Sequence, residues 1–344
     1  MSSNSLVRPP AWPGLLPGLP EPVALPHAEE AGLLEELRLV GHLTGLRVGQ
    51  LALSHFRLDG AEAKPIFIKL VDAAHRDSTE RAEAIAKWLA ELKIDVAAPI
   101  EGFPRVLADG RIAVAAPFVD GRRLRAEPDD LAALGRTVAE LHAALAAHPG
   151  RDAWRRSSEQ RLAHLAGVRQ DIVAGRLSGG PKPAMLRRLA SDDTLDFTGR
   201  GLAATPLHGD LNPGNVLLDH DSRRVLLLDF EDVFHSVLPP VFELALMVER
   251  FVLVPVPDDH VAEPCAQILL KSYRAAAGGA PLAAGAGASR ILRSLALRSL
   301  CTLASGERDG MSVDADEWHK FFVLEEQACR RSALIDRVFR EQSS

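Results

Sequence analysis

One segment, LHGDLNPGNVLLDHDSRRVLLLDFEDV from Leu207 to Val233, constrains the fold of this chain more than any other. Two apolar runs, VLLD and RRVLLLDF, flank the polar turn HDS, which is the pattern of a β-hairpin. A hairpin returns the chain, so the loop holding Asp210 and Asn215 is expected near Asp229 at the end of the second strand. Gathering carboxylates beside buried strands is costly unless a cation or a chemical task compensates. Oxygen donors of this kind suit Mg²⁺, which takes one or two carboxylates and fills its shell with water and phosphate oxygens. An acid left off the metal can accept a proton from an attacking hydroxyl.

The rest of the chain offers ample core for such a site. It has 344 residues, 47% of them hydrophobic, and that length predicts a two-lobed domain or two tightly joined ones. A net charge of -6 argues against a bulk nucleic-acid or anionic-membrane partner and leaves room only for a local basic patch. Cys265, Cys301 and Cys329 are widely spaced and match no zinc pattern, which suits a reducing cytoplasm. No run reaches the ~18 apolar residues needed to cross a bilayer. The proline-broken residues 1–30 lack an apolar signal core and are expected to form an irregular arm.

Strand patterns dominate from Glu35 to Val71, where QLALSHFRL and IFIKLV flank the turn cluster DGAEAKP. STERAEAIAKWLAEL then predicts a helix capped by Ser78 or Thr79, with Ile85, Trp88, Leu89 and Leu92 on one face. RIAVAAPFVDGRRL is a further strand, ended by Pro117 and the turn at Asp120-Gly121, and DDLAALGRTVAELHAALAAH is a helix. After Val233 nearly everything has a helical pattern, interrupted by VPVPDD and AAAGGAPLAAGAGAS.

His208, Asp210 and Asn215 followed by Asp229 resemble the kinase catalytic loop H-x-D-x-x-x-x-N and its later metal-binding Asp. The wording HGDLNPGN … LDFED is similar to the aminoglycoside phosphotransferase and choline kinase family. LAALGRTVAELHAAL, ending at Leu141-His142, resembles the helix before the family's catalytic region. LPPVFELALMVERF resembles the helix after its metal site, with Glu243 where the family usually has Asp, and IFIKLV resembles the strand of the phosphate-binding lysine. The likeness runs roughly from Val40 to Phe251.

The resemblance implies an α+β, protein-kinase-like two-lobed fold. After the arm at 1–30, residues 31–118 would form an N-lobe with an antiparallel sheet, and 119–344 a larger, mainly helical C-lobe. It implies transfer of the γ-phosphate of ATP or GTP, with Mg²⁺, to a hydroxyl of a small molecule. Asp210 would be the base, Asn215 and Asp229 the metal ligands, and Lys69 the partner of the α- and β-phosphates. A helix glutamate would hold Lys69, with Glu83 the first choice and Glu80 the reserve. Gly45 and Gly49 in GHLTGLRVGQLALS would permit close approach to phosphate, and backbone around Ala116, within Ala115–Phe118, would meet the base. His208 is expected to be structural. Asn212 is open between touching acceptor or phosphate and forming a turn, and Glu231 between the metal's water shell and a solvated loop.

Two other readings compete. A metallophosphoesterase needs two metals and several His ligands, but Val216 follows Gly214-Asn215 where a His would be needed. A catalytically inactive nucleotide-binding pseudokinase or scaffold would have lost the base, a metal ligand or the lysine, and this chain retains all of them. Acceptor candidates fall on the helices after Phe242 and around VPDDHVAEP, where Asp258, Asp259 and Glu263 are open between attracting a cationic amine and being solvated loop charges.

Overall fold

The computed structural model describes residues 20–47, 54–60, 64–199, 201–280, 282 and 287–343. The chain divides into two compact units. A sheet unit lies within Pro17–Arg123 and includes Gly214–Asp232; a helical unit takes Leu124–Pro213 and Val233–Ser344.

The sheet unit begins with β1 (Glu21–Ala24), α1 (His27–Leu37), β2 (His42–Arg47), β3 (His55–Asp59) and β4 (Ile66–Val71). It continues with α2 (Arg76–Glu91), β5 (Arg105–Val106), β6 (Ile112–Pro117) and β7 (Gly121–Arg122). The chain then builds α3 (Pro128–Ala147), α4 (Arg151–Val173), α5 (Pro183–Ala190) and β8 (Thr205–Pro206) of the helical unit. It returns to the sheet unit for the hairpin β9 (Val216–Asp219) and β10 (Val225–Leu227). The helical unit is completed by β11 (Val237–Leu238), α6 (Val241–Val248), a π-helical run Glu249–Leu253, α7 (Asp259–Ala276), α8 (Ala288–Arg308), α9 (Ala315–Arg330) and α10 (Ser332–Glu341).

Six antiparallel strands in the order β1-β2-β3-β4-β6-β5 form the main sheet. Alternation along the strands separates its faces. Leu43, Phe56, Leu58, Ile68, Leu70, Ala113 and Ala115 point into one core with Leu37 and Leu107. Lys69 pairs with His55 on one side and Val114 on the other, and Phe67 with Arg57 and Ala116, so these six residues share the opposite face. The hairpin pairs Val216 with Leu227 and extends through β9 onto β7.

Four local expectations need correction. Residues 20–30 are not irregular: β1 pairs with β2, and α1 begins at His27. Glu29 and Glu30 in its first turn complement the helix dipole, and Leu33, Leu34 and Leu37 pack on the sheet core. Neither Ser78 nor Thr79 caps α2, because a 3₁₀ turn at Ala73–His75 precedes it, capped by the Asp72 side chain. Leu92 follows the end of α2 and is exposed. The strands of the hairpin join the sheet unit rather than the mainly helical one.

In the helical unit α3 packs on α7 at Gly135, where a Cβ would lie 2.5 Å from the carbonyl oxygen of Leu269. Only glycine tolerates that approach. A second core gathers Leu165, Ile172, Leu186, Leu297, Leu300 and Phe322 around Trp318. Among the described residues no helix is long and apolar enough to cross a membrane.

Candidate active site

The loop carrying Asp210 is anchored from behind. β8 pairs with β11, and the Leu207 N–H donates to the Ser236 carbonyl at 2.9 Å, which leads the chain into a fully buried His208. Gly209 follows with φ +89°, a left-handed conformation that costs glycine nothing. In the first turn of α6, Glu243 receives both adjoining amides. Its Oε1 accepts from Gly209 N–H at 2.7 Å, and its Oε2 accepts from His208 N–H at 3.1 Å.

His142 Nε2 lies 2.7 Å from the same Oε2. Burial alone would raise the Glu243 pKa, but the hydrogen bonds it accepts, first from His142 and then from the Gly209 amide, hold it below the usual value. Glu243 is therefore an anchor for the loop. Asp210 itself is exposed, and Asn212 Nδ2 donates to its Oδ2 at 3.0 Å. Asn212 thus serves Asp210 directly, a partner that its turn-forming composition did not reveal.

In the sheet unit, Lys69 Nζ lies 3.5 Å from Asp229 Oδ2 and 3.5 Å from Glu231 Oε1. Burial pushes the ammonium pKa down, but the charges and hydrogen bonds of Asp229 and Glu231 outweigh it, so the lysine holds its proton more tightly than usual. Leu228 N–H donates to the Asn215 carbonyl at 2.9 Å, one step beyond the ladder of β9 and β10. Asn215 and Asp229 therefore stand at the same end of the hairpin. Asp229 has φ +61°, an uncommon conformation for a non-glycine residue and one often found at functional sites.

Glu83 is not in an ion pair with Lys69, whose acidic partners are Asp229 and Glu231. Its carboxyl is pushed up to about 7, first by burial and further by Asp229 and Glu231, against the Lys69 charge. Glu80 is exposed and tied to Arg76 at 2.8 Å, which takes it away from the lysine. Gly45 is a buried β2 residue paired with Val23 and Phe56, on the core face with Leu43, so it is not a loop glycine. Gly49 lies outside the described residues. Ala116 is on the lysine face, opposite Phe67. Sequence reading missed His55 and Phe67 beside the lysine, whose ring centroids are 5.7 Å apart. The alternation of β3 and β4 held the signal, since Phe67 precedes Lys69 by two residues.

Asn215 and Asp229 supply one amide and one carboxylate, hard oxygen donors that fit Mg²⁺ completed by water and phosphate. Among the described residues no three His, Cys, Asp or Glu gather into a metal cage. The acids offered for a cationic acceptor are engaged elsewhere. Asp258 caps α7 by accepting from His260 N–H, Asp259 pairs with Arg331 at 2.7 Å, and Glu263 holds Arg337 through two bonds of 2.7 Å.

The sequence model described as the phosphotransferase enzyme family matches residues 42–278. No curated protein matches the chain. Among solved structures, amicoumacin kinase hAmiN in complex with AMP-PNP, Ca²⁺ and Ami superposes with a TM-score of 0.57 at 16% identity, covering 92% of this chain and 99% of that one. Spectinomycin phosphotransferase APH(9)-Ia with ADP and spectinomycin gives 0.55 at 15% identity, over 87% and 97%. The GDP complex of aminoglycoside 2'-phosphotransferase-IIIa gives 0.52 at 16%, over 88% and 99%. At these identities the likeness is one of fold, a protein-kinase-like architecture with an antiparallel sheet and a mainly helical remainder.

Proposed function

The chain belongs to the phosphotransferase enzyme family, and on that premise we propose that it moves the γ-phosphate of ATP or GTP onto a hydroxyl of a small metabolite. The acceptor oxygen attacks the γ-phosphorus, the bond to the β–γ bridging oxygen breaks, and the nucleoside diphosphate leaves. Asp210 takes the hydroxyl proton. Lys69 neutralises phosphate charge, and backbone near Ala116 meets the base. Asn215 and Asp229 would hold Mg²⁺, which when bound would neutralise phosphate charge.

The observation that carries this reading is the 3.5 Å approach of Lys69 to Asp229, which keeps a strand lysine and a left-handed acid together at the hairpin end beside Asn215. A structural ion pair would not call for an acid in that backbone conformation beside a second oxygen donor. The nucleotides bound in the related folds, AMP-PNP, ADP and GDP, support a nucleotide cosubstrate and leave the base open. The test is a thermal-shift and nucleotide-consumption screen of small hydroxylated metabolites with ATP or GTP and Mg²⁺, since ligand occupancy stabilises the folded state. Transfer by the wild type and none by Asp210→Ala is expected; undiminished transfer by Asp210→Ala removes the aspartate from the chemistry.

A further inference from the structure

We propose that Tyr273 and His142 are positioning residues for the Asp210 loop: the tyrosine hydroxyl holds the imidazole in the orientation that bonds Glu243, and Glu243 sets the backbone before Asp210. The proposal rests on the reading of Asp210 as proton acceptor and names two residues that act on it through another.

Three helices contribute to this chain of contacts. Tyr273 on α7 places its hydroxyl 2.9 Å from His142 Nδ1, His142 on α3 places Nε2 2.7 Å from Glu243 Oε2, and Glu243 is on α6. All three side chains are buried, and the tyrosine and histidine rings meet edge to face at 5.5 Å. Water therefore contributes little, and each hydrogen must be assigned within the group.

Glu243 accepts from two backbone amides and keeps a lowered pKa, so it is a carboxylate without a hydrogen of its own. The hydrogen shared with His142 is accordingly on Nε2. Tyr273 is pushed up to about 12, by burial first and then by the Glu243 charge, and so remains protonated. Among the described residues its hydroxyl has no hydrogen-bond partner besides His142. One arrangement satisfies every group: the Tyr273 O–H donates to a bare Nδ1, and Nε2–H donates to Glu243. A protonated Nδ1 would strand the phenolic hydrogen in a buried site. Tyr273 is the single tyrosine of the chain.

Two carboxylate oxygens thus manage three donors, two of them the consecutive amides just before Asp210. Removing the Tyr273 donor leaves a bare Nδ1 without a partner in a buried site, and the ring turns to find another donor. That turn draws Nε2–H off Glu243, whose carboxylate shifts and takes the amides of His208 and Gly209 with it. The base moves while the lysine, Asn215 and Asp229 are untouched.

The experiment follows Mg²⁺-dependent phosphate release from ATP, with water as acceptor, together with the ¹⁵N signals of the His142 ring. Tyr273→Phe is expected to lower kcat about tenfold, the worth of one lost buried hydrogen bond, with KM for Mg-ATP changed less than about twofold. The ring should keep its Nε2 hydrogen while the Nδ1 signal moves to that of a bare nitrogen without a hydrogen bond. His142→Gln, which keeps an N–H toward Glu243, should retain more turnover than His142→Leu, and this pair also carries the test if Tyr273→Phe is poorly folded. Wild-type kcat in Tyr273→Phe, or equal turnover in His142→Gln and His142→Leu, overturns the proposal. An active Asp210→Asn would instead overturn the assignment of the base, so the two failures are distinguishable.

Discussion

Lys69 Nζ and Asp229 Oδ2 approach to 3.5 Å across 160 residues of sequence, and Glu231 offers the same ammonium a second acid at 3.5 Å. Without a nucleotide the lysine charge is balanced by these carboxylates. A triphosphate would bring its own oxygens to the lysine and release Asp229 to a cation.

Asp229→Asn should therefore lower Mg²⁺-dependent transfer by at least about 100-fold, the scale of losing a main electrostatic contact in the transition state. Its side chain is 38% exposed, so the thermal midpoint should hardly move, in keeping with surface substitutions that cost about 0.5 kcal/mol or less. Phosphate release from ATP and a melting curve check both halves. Near-normal turnover would remove Asp229 from the metal set.

Helical spacing leaves Glu83 as first choice and Glu80 in reserve beside Lys69, and the structure ties Glu80 to another partner. Glu80 is committed to Arg76 in an exposed i,i+4 pair of the kind that contributes about 0.3–0.5 kcal/mol. Glu80→Ala should leave nucleotide KM and kcat unchanged. Glu83→Gln should weaken productive nucleotide binding, because the half-buried acid stands within electrostatic reach of Lys69. Steady-state kinetics on the two variants decide the matter, and a reversed order would return Glu80 to candidacy.

The hairpin was legible because an alternating apolar pattern and a polar turn dictate it locally. The lysine strand was legible for the same reason. What escaped were relations set by packing. The HAEEAGLLEEL helix hid behind a proline-rich approach, although its leucine spacing and early glutamates were present. Gly45 looked like a loop residue until strand pairing on both sides placed it in a sheet interior. Tyr273 gave no signal, since its role depends on how α7 meets α3. Asp258, Asp259 and Glu263 looked available because their partners, His260 N–H, Arg331 and Arg337, depend on a cap and on contacts with distant residues.

Gly209 has φ +89°, between a buried histidine and the exposed Asp210. Gly209→Ala puts a Cβ into the left-handed region at a cost of about 1–2 kcal/mol, and relief comes from rotating the peptide that donates to Glu243. We expect a modest loss in the urea midpoint and a larger, kcat-dominated loss of transfer. Intact turnover would show that the loop tolerates another backbone path.

Glu249 opens the π-helical run Glu249–Leu253 and is only 4% exposed, and burial pushes its carboxyl up to about 7 although Arg250 Nε stands 3.2 Å away. Desolvation outweighs the pair, as it often does for buried ions. The folded chain then keeps this proton up to about pH 7, whereas the unfolded chain releases it near the ordinary value of 4.5. Between those values the folded state binds more protons, so the stabilisation is complete below the lower value and is lost as pH rises through the upper one. Between about pH 5.5 and pH 8.5 the loss should approach about 2 kcal/mol. Glu249→Gln cannot titrate and should show a correspondingly flatter profile. Urea unfolding of both proteins at the two pH values measures the difference, which cancels Glu83 and every other group the two share. Parallel profiles would mean that Glu249 is already ionised in the folded chain and that Arg250 compensates its burial.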